Sequence, residues 1–252
     1  MTTRTIVRLA ALGDLHYPKM PADTLQQVLT QATEQTDVLL LCGDLTDYGR
    51  PEEARLLAQM LAEHAKLPIL AVLGNHDYES GQPEEVSQLL SEAGVIMLDG
   101  DACEVHGIGF AGAKGFAGGF GQWALQPWGE GTVKQFVREA VDEALKLESA
   151  LAKLRTPQRI AVLHYAPIRD TVEGEPLEIY PFLGSSRLEE PLNRYAVTAV
   201  FHGHAHHGYP EGRTTGGIPV YNVAVPLLQK AFPEQPIFRM VEIPLESPSS
   251  TS

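Results

Sequence analysis

Residues 69–77 read ILAVLGNHD: five apolar residues lead through a glycine into an amide, an imidazole and a carboxylate. The apolar run predicts a buried strand, and a core needs no polar cluster at the point where that strand stops. Four other apolar runs end in the same way, at Gly13-Asp14-Leu15-His16, Cys42-Gly43-Asp44, His164 and His202-Gly203-His204-Ala205-His206. We therefore expect one site, assembled from several strand ends at one edge of a sheet.

The first part of the chain alternates strands with helices. Pro51 and Pro83, each followed by two glutamates, suit the first turn of a helix, and Gly94 suits a helix C-terminus. This alternation predicts an α/β fold with a largely parallel sheet and right-handed crossovers. The predicted elements are strands at 5–12, 38–41 and 69–73, and helices over 21–35, from 51 and from 83.

The rhythm changes after Gly94. Residues 95–98 and 102–110 predict strands in hairpin-like succession around Asp99-Gly100, and 132–154 predicts a long amphipathic helix. Residues 218–245 predict two or three strands that close a second sheet. Between them, residues 111–131 carry seven glycines and four bulky aromatics. They form either a surface loop pinned by its aromatics or a lid or wall over the site, and both interpretations stay open.

Length and charge limit the classes of protein. We expect one domain over 1–246 and a disordered tail at 247–252, because the candidate ligands run from Asp14 to His206. The net charge of -13 argues against nucleic acid as a partner. No apolar run approaches the ~20 residues of a membrane span, so we expect no membrane partner. The sequence indicates no particular oligomeric state.

Cysteine usage and the N-terminus indicate a compartment. Cys42 and Cys103 make no disulfide framework, and the first residues leave no room for a signal peptide before the first strand. We expect a cytoplasmic protein.

The polar residues at the strand ends are of metal-binding types. A divalent metal takes about four to six ligands, so seven residues, one of them bridging, suit two metals. A pair of cations ~3.5–4 Å apart is suited to displacement at phosphorus. Mixed nitrogen and oxygen ligands accept Mn, Fe, Zn, Co or Ni. The candidate metal ligands are Asp14, His16, Asp44, Asn75, His164, His204 and His206.

These blocks, in this order, resemble the calcineurin-like metallophosphoesterase family, and the GNHD block is similar to its bacterial phosphodiesterase-like members. The resemblance implies two mixed β-sheets packed as a sandwich and flanked by helices, a four-layer αββα fold. It implies a first metal held by Asp14, His16, Asp44 and His206. It implies a second metal held by Asp44 as the bridge with Asn75, His164 and His204.

The resemblance also implies a reaction. We expect hydrolysis of a small phosphoester, such as a cyclic nucleotide, another phosphodiester or a phosphomonoester, by a metal-bridging hydroxide. His76 would contact the phosphate or protonate the leaving group, and Asp77 would orient its ring. The alternatives are a catalytically silent scaffold or interaction protein on the same fold, and a hydrolase of non-phosphate esters.

Several other polar residues receive ordinary interpretations. Asp47, three residues beyond Asp44, is expected to cap a turn or a helix. Arg187 and Arg213 are expected to be solvated, with a phosphate clamp as the alternative. The remaining histidines that we expect at core or surface positions are His64, His106, His202 and His207.

Overall fold

The computed structural model describes residues 5–245; residues 1–4 and 246–252, which include the tail predicted at 247–252, lie outside the described residues. The strands are β1 (Ile6–Leu12), β2 (Val38–Cys42), β3 (Ile69–Val72), β4 (Ile96–Met97), β5 (Asp101–Val105), β6 (Ile108–Gly112), β7 (Arg159–Val162), β8 (Ala199–His202), β9 (Glu211–Arg213), β10 (Pro219–Asn222) and β11 (Arg239–Pro244). The α-helices are α1 (Ala22–Gln35), α2 (Pro51–His64), α3 (Pro83–Glu92), α4 (Gly131–Lys153), α5 (Tyr180–Leu183), α6 (Glu189–Arg194) and α7 (Val225–Ala231).

The strands form two mixed sheets. The first has the order β11-β1-β2-β3-β4, in which β1 to β4 are parallel and β11 is antiparallel to β1. The second has the order β5-β6-β7-β8-β10-β9, with a parallel centre and an antiparallel strand at each edge. Helices flank the sheets, so the predicted α/β sandwich of two mixed sheets is confirmed.

Alternation along β1 shows how the layers pack, because successive side chains of a strand point to opposite faces. Val7, Leu9 and Ala11 belong to the core cluster that also contains Phe110 and Phe201 of the second sheet. Ala10 and Leu12 belong instead to the cluster that holds the buried faces of α1 and α2. Each sheet is therefore covered on both faces, which explains its nearly continuous apolar strands.

The prediction that residues 95–98 and 102–110 form a hairpin is wrong. β4 stays in the first sheet, parallel to β3, whereas β5 and β6 form an antiparallel hairpin in the second sheet. His106 and Gly107 make the hairpin turn, with φ of 53° and 78°. A turn with two positive φ angles matches the twist of a two-residue hairpin, and it divides the stretch predicted as one strand.

The prediction for residues 218–245 is also partly wrong. β10 belongs to the second sheet, but α7 follows it, and β11 then pairs with β1 in the first sheet. Pro226 stands in the first turn of α7, where its missing N–H costs no hydrogen bond. β11 covers the edge of β1 that would otherwise expose unpaired backbone groups. Within residues 5–245, no helix has the length and apolar composition that crossing a bilayer requires.

Candidate metal centre

The seven candidate ligands lie in loops that follow β1, β2, β3, β7 and β8. Their donor atoms form two compact groups, within which all the atoms lie inside 4.8 Å of one another: Asp14 with His16 and His206, and Asp44 with His164 and His204. Asn75 joins the second group, because its Oδ1 lies 2.9 Å from His164 Nε2. The two sheets thus place all seven residues at one edge of the sandwich.

Asp44 lies between the two groups. Its Oδ1 is 3.4 Å from His164 Nε2, and its Oδ2 is 3.8 Å from His16 Nε2. The same Oδ1 accepts the backbone N–H of His76 at 2.8 Å. The two oxygens of one carboxylate therefore face different donor groups.

Asp14 is the second buried carboxylate of the centre. Its Oδ1 lies 3.0 Å from His206 Nε2, and both of its oxygens accept the backbone N–H of His204. One carboxylate therefore contacts both histidines of the loop that follows β8.

Four of the candidate ligands have left-handed backbone conformations. The φ angles are 60° at Asp14, 46° at His16, 49° at Asp44 and 70° at His204. Residues with side chains rarely adopt these angles, and such strained positions cluster at functional sites. Backbone hydrogen bonds hold the strain: Asp14 donates to the Gly43 carbonyl and His16 to the Asp44 carbonyl, each at 2.9 Å.

Two glycines make the close approach of the loops possible. Gly43 has a φ of +80°, and a Cβ there would lie 2.4 Å from His164 Nδ1. A Cβ at Gly74 would lie 2.2 Å from both the backbone nitrogen and Oδ1 of Asp44. Gly43 supplies a sharp turn with positive φ, whereas Gly74 is required for space.

Burial and like charge determine the electrostatics of the carboxylates. Burial raises the pKa of Asp44 well above its usual value, and the neighbouring carboxylates of Asp14 and Asp77 raise it further. For Asp14, burial is outweighed by the hydrogen bond with His206 and by the nearby imidazoles, which lower its pKa to about 2. Burial also lowers the pKa values of His16, His164 and His204, which favours the neutral imidazole that binds metals.

The donor set fits divalent cations. His16 Nδ1 is buried without a hydrogen-bond partner, although Asp47 Oδ1 lies 3.3 Å away. His164 Nδ1 lies 3.0 Å from the Cys42 carbonyl, which leaves Nε2 to face Asp44 and Asn75. A second hydrogen bond of this kind fixes the orientation of a metal-binding imidazole. Neutral imidazoles, carboxylates and an amide oxygen together suit first-row divalent metals.

The expected pairing of Asp77 with His76 is wrong. Asp77 is fully buried, and its carboxylate accepts the backbone N–H groups of Gly74, Leu45 and Thr46 at 2.8 to 3.1 Å, and the Thr46 hydroxyl at 2.6 Å. These bonds join the loops after β2 and β3 and leave the carboxylate turned toward the backbone. The role of Asp77 shown by the structure is to hold these two loops together.

Asp47 takes the place expected for Asp77. Its carbonyl lies 2.8 Å from His76 Nδ1, and its carboxylate lies beside His16. His16, Asp47 and His76 also form a third group of potential metal-binding residues, which shares His16 with the first. The sequence analysis expected Asp47 only to cap a turn or a helix, and it missed the contact with His16 and His76. The one available signal is that Asp47 lies three residues beyond Asp44.

Asn222, which ends β10, was missed by the sequence analysis. This fully buried amide donates to the carbonyls of Ala205 at 2.8 Å and Thr171 at 3.2 Å, and accepts the N–H of Ala224 at 3.2 Å. The next residues pair with Gly13, immediately before Asp14. Asn222 therefore braces two loops that carry candidate ligands. It stands where an apolar run ends in a polar residue, the pattern that indicated the candidate ligands.

The two arginines considered as phosphate clamps each donate a hydrogen bond to a loop carbonyl. Arg187 donates to the Leu125 carbonyl at 3.0 Å, and Arg213 donates to the Gly217 carbonyl at 2.8 Å, so both stabilise loops. His202 is fully buried, with its Nε2 2.8 Å from the Thr171 hydroxyl, and burial lowers its pKa to about 4. His202 therefore has the core position expected of it.

Replacing Asn222 tests its bracing role. Asn222→Leu leaves the carbonyls of Ala205 and Thr171 without their buried donor, which typically costs ~1–3 kcal/mol. We expect the affinity of the metal-free protein for Mn²⁺ to fall by about 10-fold or more, as measured by calorimetric titration. The control is Asn193→Leu, which removes contacts with Thr214 and Thr215 and should leave Mn²⁺ affinity unchanged. Equal Mn²⁺ affinities for the two variants would contradict the role.

Comparisons with known proteins identify related sequences and similar folds. A protein of Aquifex aeolicus described as an uncharacterized metallophosphoesterase is 35% identical over 105 residues, and the match spans 40% of each protein. The crystal structure of phosphopantetheinyl hydrolase from Mycobacterium tuberculosis superposes with a TM-score of 0.67, covering 95% of this chain and 96% of that one at 16% identity. The crystal structure of TT1561 from Thermus thermophilus has a TM-score of 0.58 at 14% identity, covering 96% of this chain and 100% of that one.

At such low identities the two crystal structures show a shared fold. The sequence profile described as calcineurin-like phosphoesterase matches residues 7–208, which include every candidate ligand. The match covers most of the chain, and it confirms the resemblance that the strand-end motifs indicated: this chain belongs to the calcineurin-like phosphoesterase family.

Proposed function

We propose that this protein is a phosphohydrolase with two divalent cations, which cleaves a small phosphoester. Asp14, His16, Asp44 and His206 would hold one cation; Asp44, Asn75, His164 and His204 would hold the other. The observation that carries the proposal is the placement of Asp44, whose Oδ2 faces His16 at 3.8 Å and whose Oδ1 faces His164 at 3.4 Å. A shared carboxylate is what a site for two adjacent cations needs.

When bound, the cations would polarise the phosphate, activate water and neutralise the charge that develops during displacement. The residues of this chain prepare the site for them. Burial keeps the imidazoles of His16, His164 and His204 neutral, and the Cys42 carbonyl orients His164. The tight loops that the glycines permit bring the donors together before any cation arrives, which lowers the cost of ordering them.

His76 is suited to proton transfer. Its ring lies 4.5 Å from the ring of His16, and its Nδ1 donates to the Asp47 carbonyl at 2.8 Å. This hydrogen bond fixes the ring and leaves Nε2 as the atom that can hold a proton and deliver it to a leaving oxygen. Its side chain is 36% exposed, so a substrate can reach it.

The finer assignments remain predictions. Mn²⁺ is one of several first-row cations that this donor set accepts, and both phosphodiesters and phosphomonoesters are candidate substrates. The net charge of -13 argues against nucleic acid. A cytoplasmic location and one domain over residues 1–246 also stay predictions.

Replacing the shared carboxylate tests the arrangement of the cations. Asp44→Asn removes the negative charge between the two donor groups, so both cations should bind more weakly and phosphoester turnover should fall to background. Metal content per chain and hydrolysis of a p-nitrophenyl diester measure the two effects. Asp142→Asn, an exposed position on α4, is the control and should change neither. Two tightly bound metals and normal turnover in Asp44→Asn would show that this residue is not the bridge.

Replacing His76 tests its role as a general acid. His76→Ala should keep both metals but lose roughly 10²–10⁴-fold in turnover of alkyl diesters, because a positioned proton donor contributes about that much. Matched p-nitrophenyl diesters should lose less, since their leaving group needs little protonation. His64→Ala on α2 is the histidine control.

Two results would contradict the general-acid role of His76. Equal losses on the alkyl and p-nitrophenyl diesters would exclude proton donation to the leaving group. Loss of metal from His76→Ala would instead make His76 a ligand together with His16 and Asp47, the third group of candidate ligands.

A further inference from the structure

Aromatic side chains extend outward from the second donor group. The Tyr165 ring lies 4.5 Å from the ring of His204 and 5.8 Å from that of Phe116. Phe116 contacts Phe136 at 5.0 Å, and Phe136 contacts Phe182 at 6.3 Å. Phe182 returns to the centre through its carbonyl oxygen, which accepts a hydrogen bond from His204 Nε2 at 3.1 Å. A continuous aromatic wall therefore begins at a candidate ligand and ends at Phe182.

The segment that carries Phe182 is held firmly by backbone hydrogen bonds. Gly118 donates to the Pro181 carbonyl at 2.7 Å, Gly119 to the Gly184 carbonyl at 2.9 Å, and Ala166 to the Leu183 carbonyl at 3.0 Å. The glycine-rich loop thus braces the segment that contacts His204. Of the two interpretations of residues 111–131, this arrangement favours the wall beside the site.

The same segment exposes large apolar side chains. Leu177 is 68% exposed, Ile179 38% and Phe182 56%, and we call these three residues the apolar rim. Each of the three therefore keeps a large part of its side chain in water. Large apolar side chains that one short segment leaves in water can mark a binding surface. The backbone of this segment is already ordered, so little further ordering is needed on binding.

The surroundings of the other donor group are polar. The His16 ring lies 4.5 Å from that of His76 and 5.9 Å from that of His206, with the Asp47 carboxylate close by. The centre is therefore asymmetric, with imidazoles and carboxylates on one side and an aromatic wall leading to the apolar rim on the other. Ligand sites commonly combine apolar walls with a few polar groups that fix orientation.

We propose that the apolar rim is a substrate subsite, which binds a large apolar organic group of the phosphoester while the phosphate lies at the metal centre. The inference rests on the proposed function and specifies its substrate class. Phe182 ties the rim to the centre, because its backbone carbonyl accepts the hydrogen bond from His204 Nε2, so one molecule can contact both Phe182 and the centre. Three apolar side chains suit an aryl ring or an alkyl chain.

A substrate series tests the subsite. Methyl, octyl and phenyl esters of p-nitrophenyl phosphate share one leaving group and differ only in the group that the rim would bind. We expect the Mn²⁺-loaded protein to show a KM roughly 10-fold lower for the octyl or the phenyl ester than for the methyl ester, at similar kcat. The ester with the larger fall in KM relative to the methyl ester shows whether the rim prefers an alkyl chain or an aryl ring.

Phe182→Ala should raise KM for the favoured ester by about 10-fold and change KM for the methyl ester far less. The backbone carbonyl that binds His204 remains in this variant, so Mn²⁺ affinity of the metal-free protein should not change. Phe182→Leu should retain most of the preference. Leu145→Ala, which removes a side chain of similar exposure, 54%, from α4, is the control and should have no effect.

The failures of the subsite and of the proposed function are distinguishable. Turnover of all three esters with equal KM values, or an equal loss for all three in Phe182→Ala, would overturn the subsite and leave the proposed function intact. Absence of turnover with two metals bound would overturn the proposed function and, with it, the subsite. If Phe182→Ala changed the mass of the protein measured by sedimentation and left the kinetics of all three esters unchanged, the subsite would be overturned. The rim would then be a contact between protein molecules.

Discussion

The structure depends on placing two buried carboxylates, Asp14 and Asp44, close enough to interact. Each disfavours ionisation of the other in a site from which water is largely excluded. The structure resolves this conflict unequally: the pKa of Asp14 falls to about 2 beside His206, whereas burial and the Asp14 charge raise the pKa of Asp44. Cations bound at the two donor groups would stabilise both carboxylates, so the arrangement is strained without them and satisfied with them.

The scaffold holds this arrangement through polar contacts that are not themselves candidate ligands. The Asp77 carboxylate joins the loops after β2 and β3 by bonds to Leu45, Thr46 and Gly74. Asn222 joins the loop of His204 to the segment beside Gly13. Buried polar groups of this kind must be fully paired, and once paired they specify one geometry. The strained φ angles of the candidate ligands persist because these surrounding contacts fix them.

How far the sequence predicted the structure depends on whether a feature is local. The ligand positions follow from a local pattern, because an apolar run that ends in Asp, His or Asn places that residue at a strand end, and parallel strands align those ends. The partner of β11 could not be predicted, because its apolar residues suit either sheet. The hairpin turn at His106 and Gly107 was not predicted, because residues 102–110 were predicted as one continuous strand.

The contacts of polar side chains were the least predictable. Asp77 follows His76 in the chain, yet its carboxylate points back to the amides of another loop, and the Asp47 carbonyl takes the place beside His76. Such contacts depend on how separate loops are brought together in space. The contact between Phe182 and His204 joins residues far apart in the chain, and nothing in the sequence around Phe182 indicates it.

A centre at the edge of both sheets would hold two cations that share Asp44. Anomalous diffraction from crystals of the Mn²⁺-loaded protein tests this arrangement. We expect two manganese peaks ~3.5–4 Å apart, one beside Asp14, His16 and His206, and the other beside Asn75, His164 and His204, with the Asp44 carboxylate between them. A single peak, or a second peak held by His76 and Asp47 away from Asp44, would contradict it.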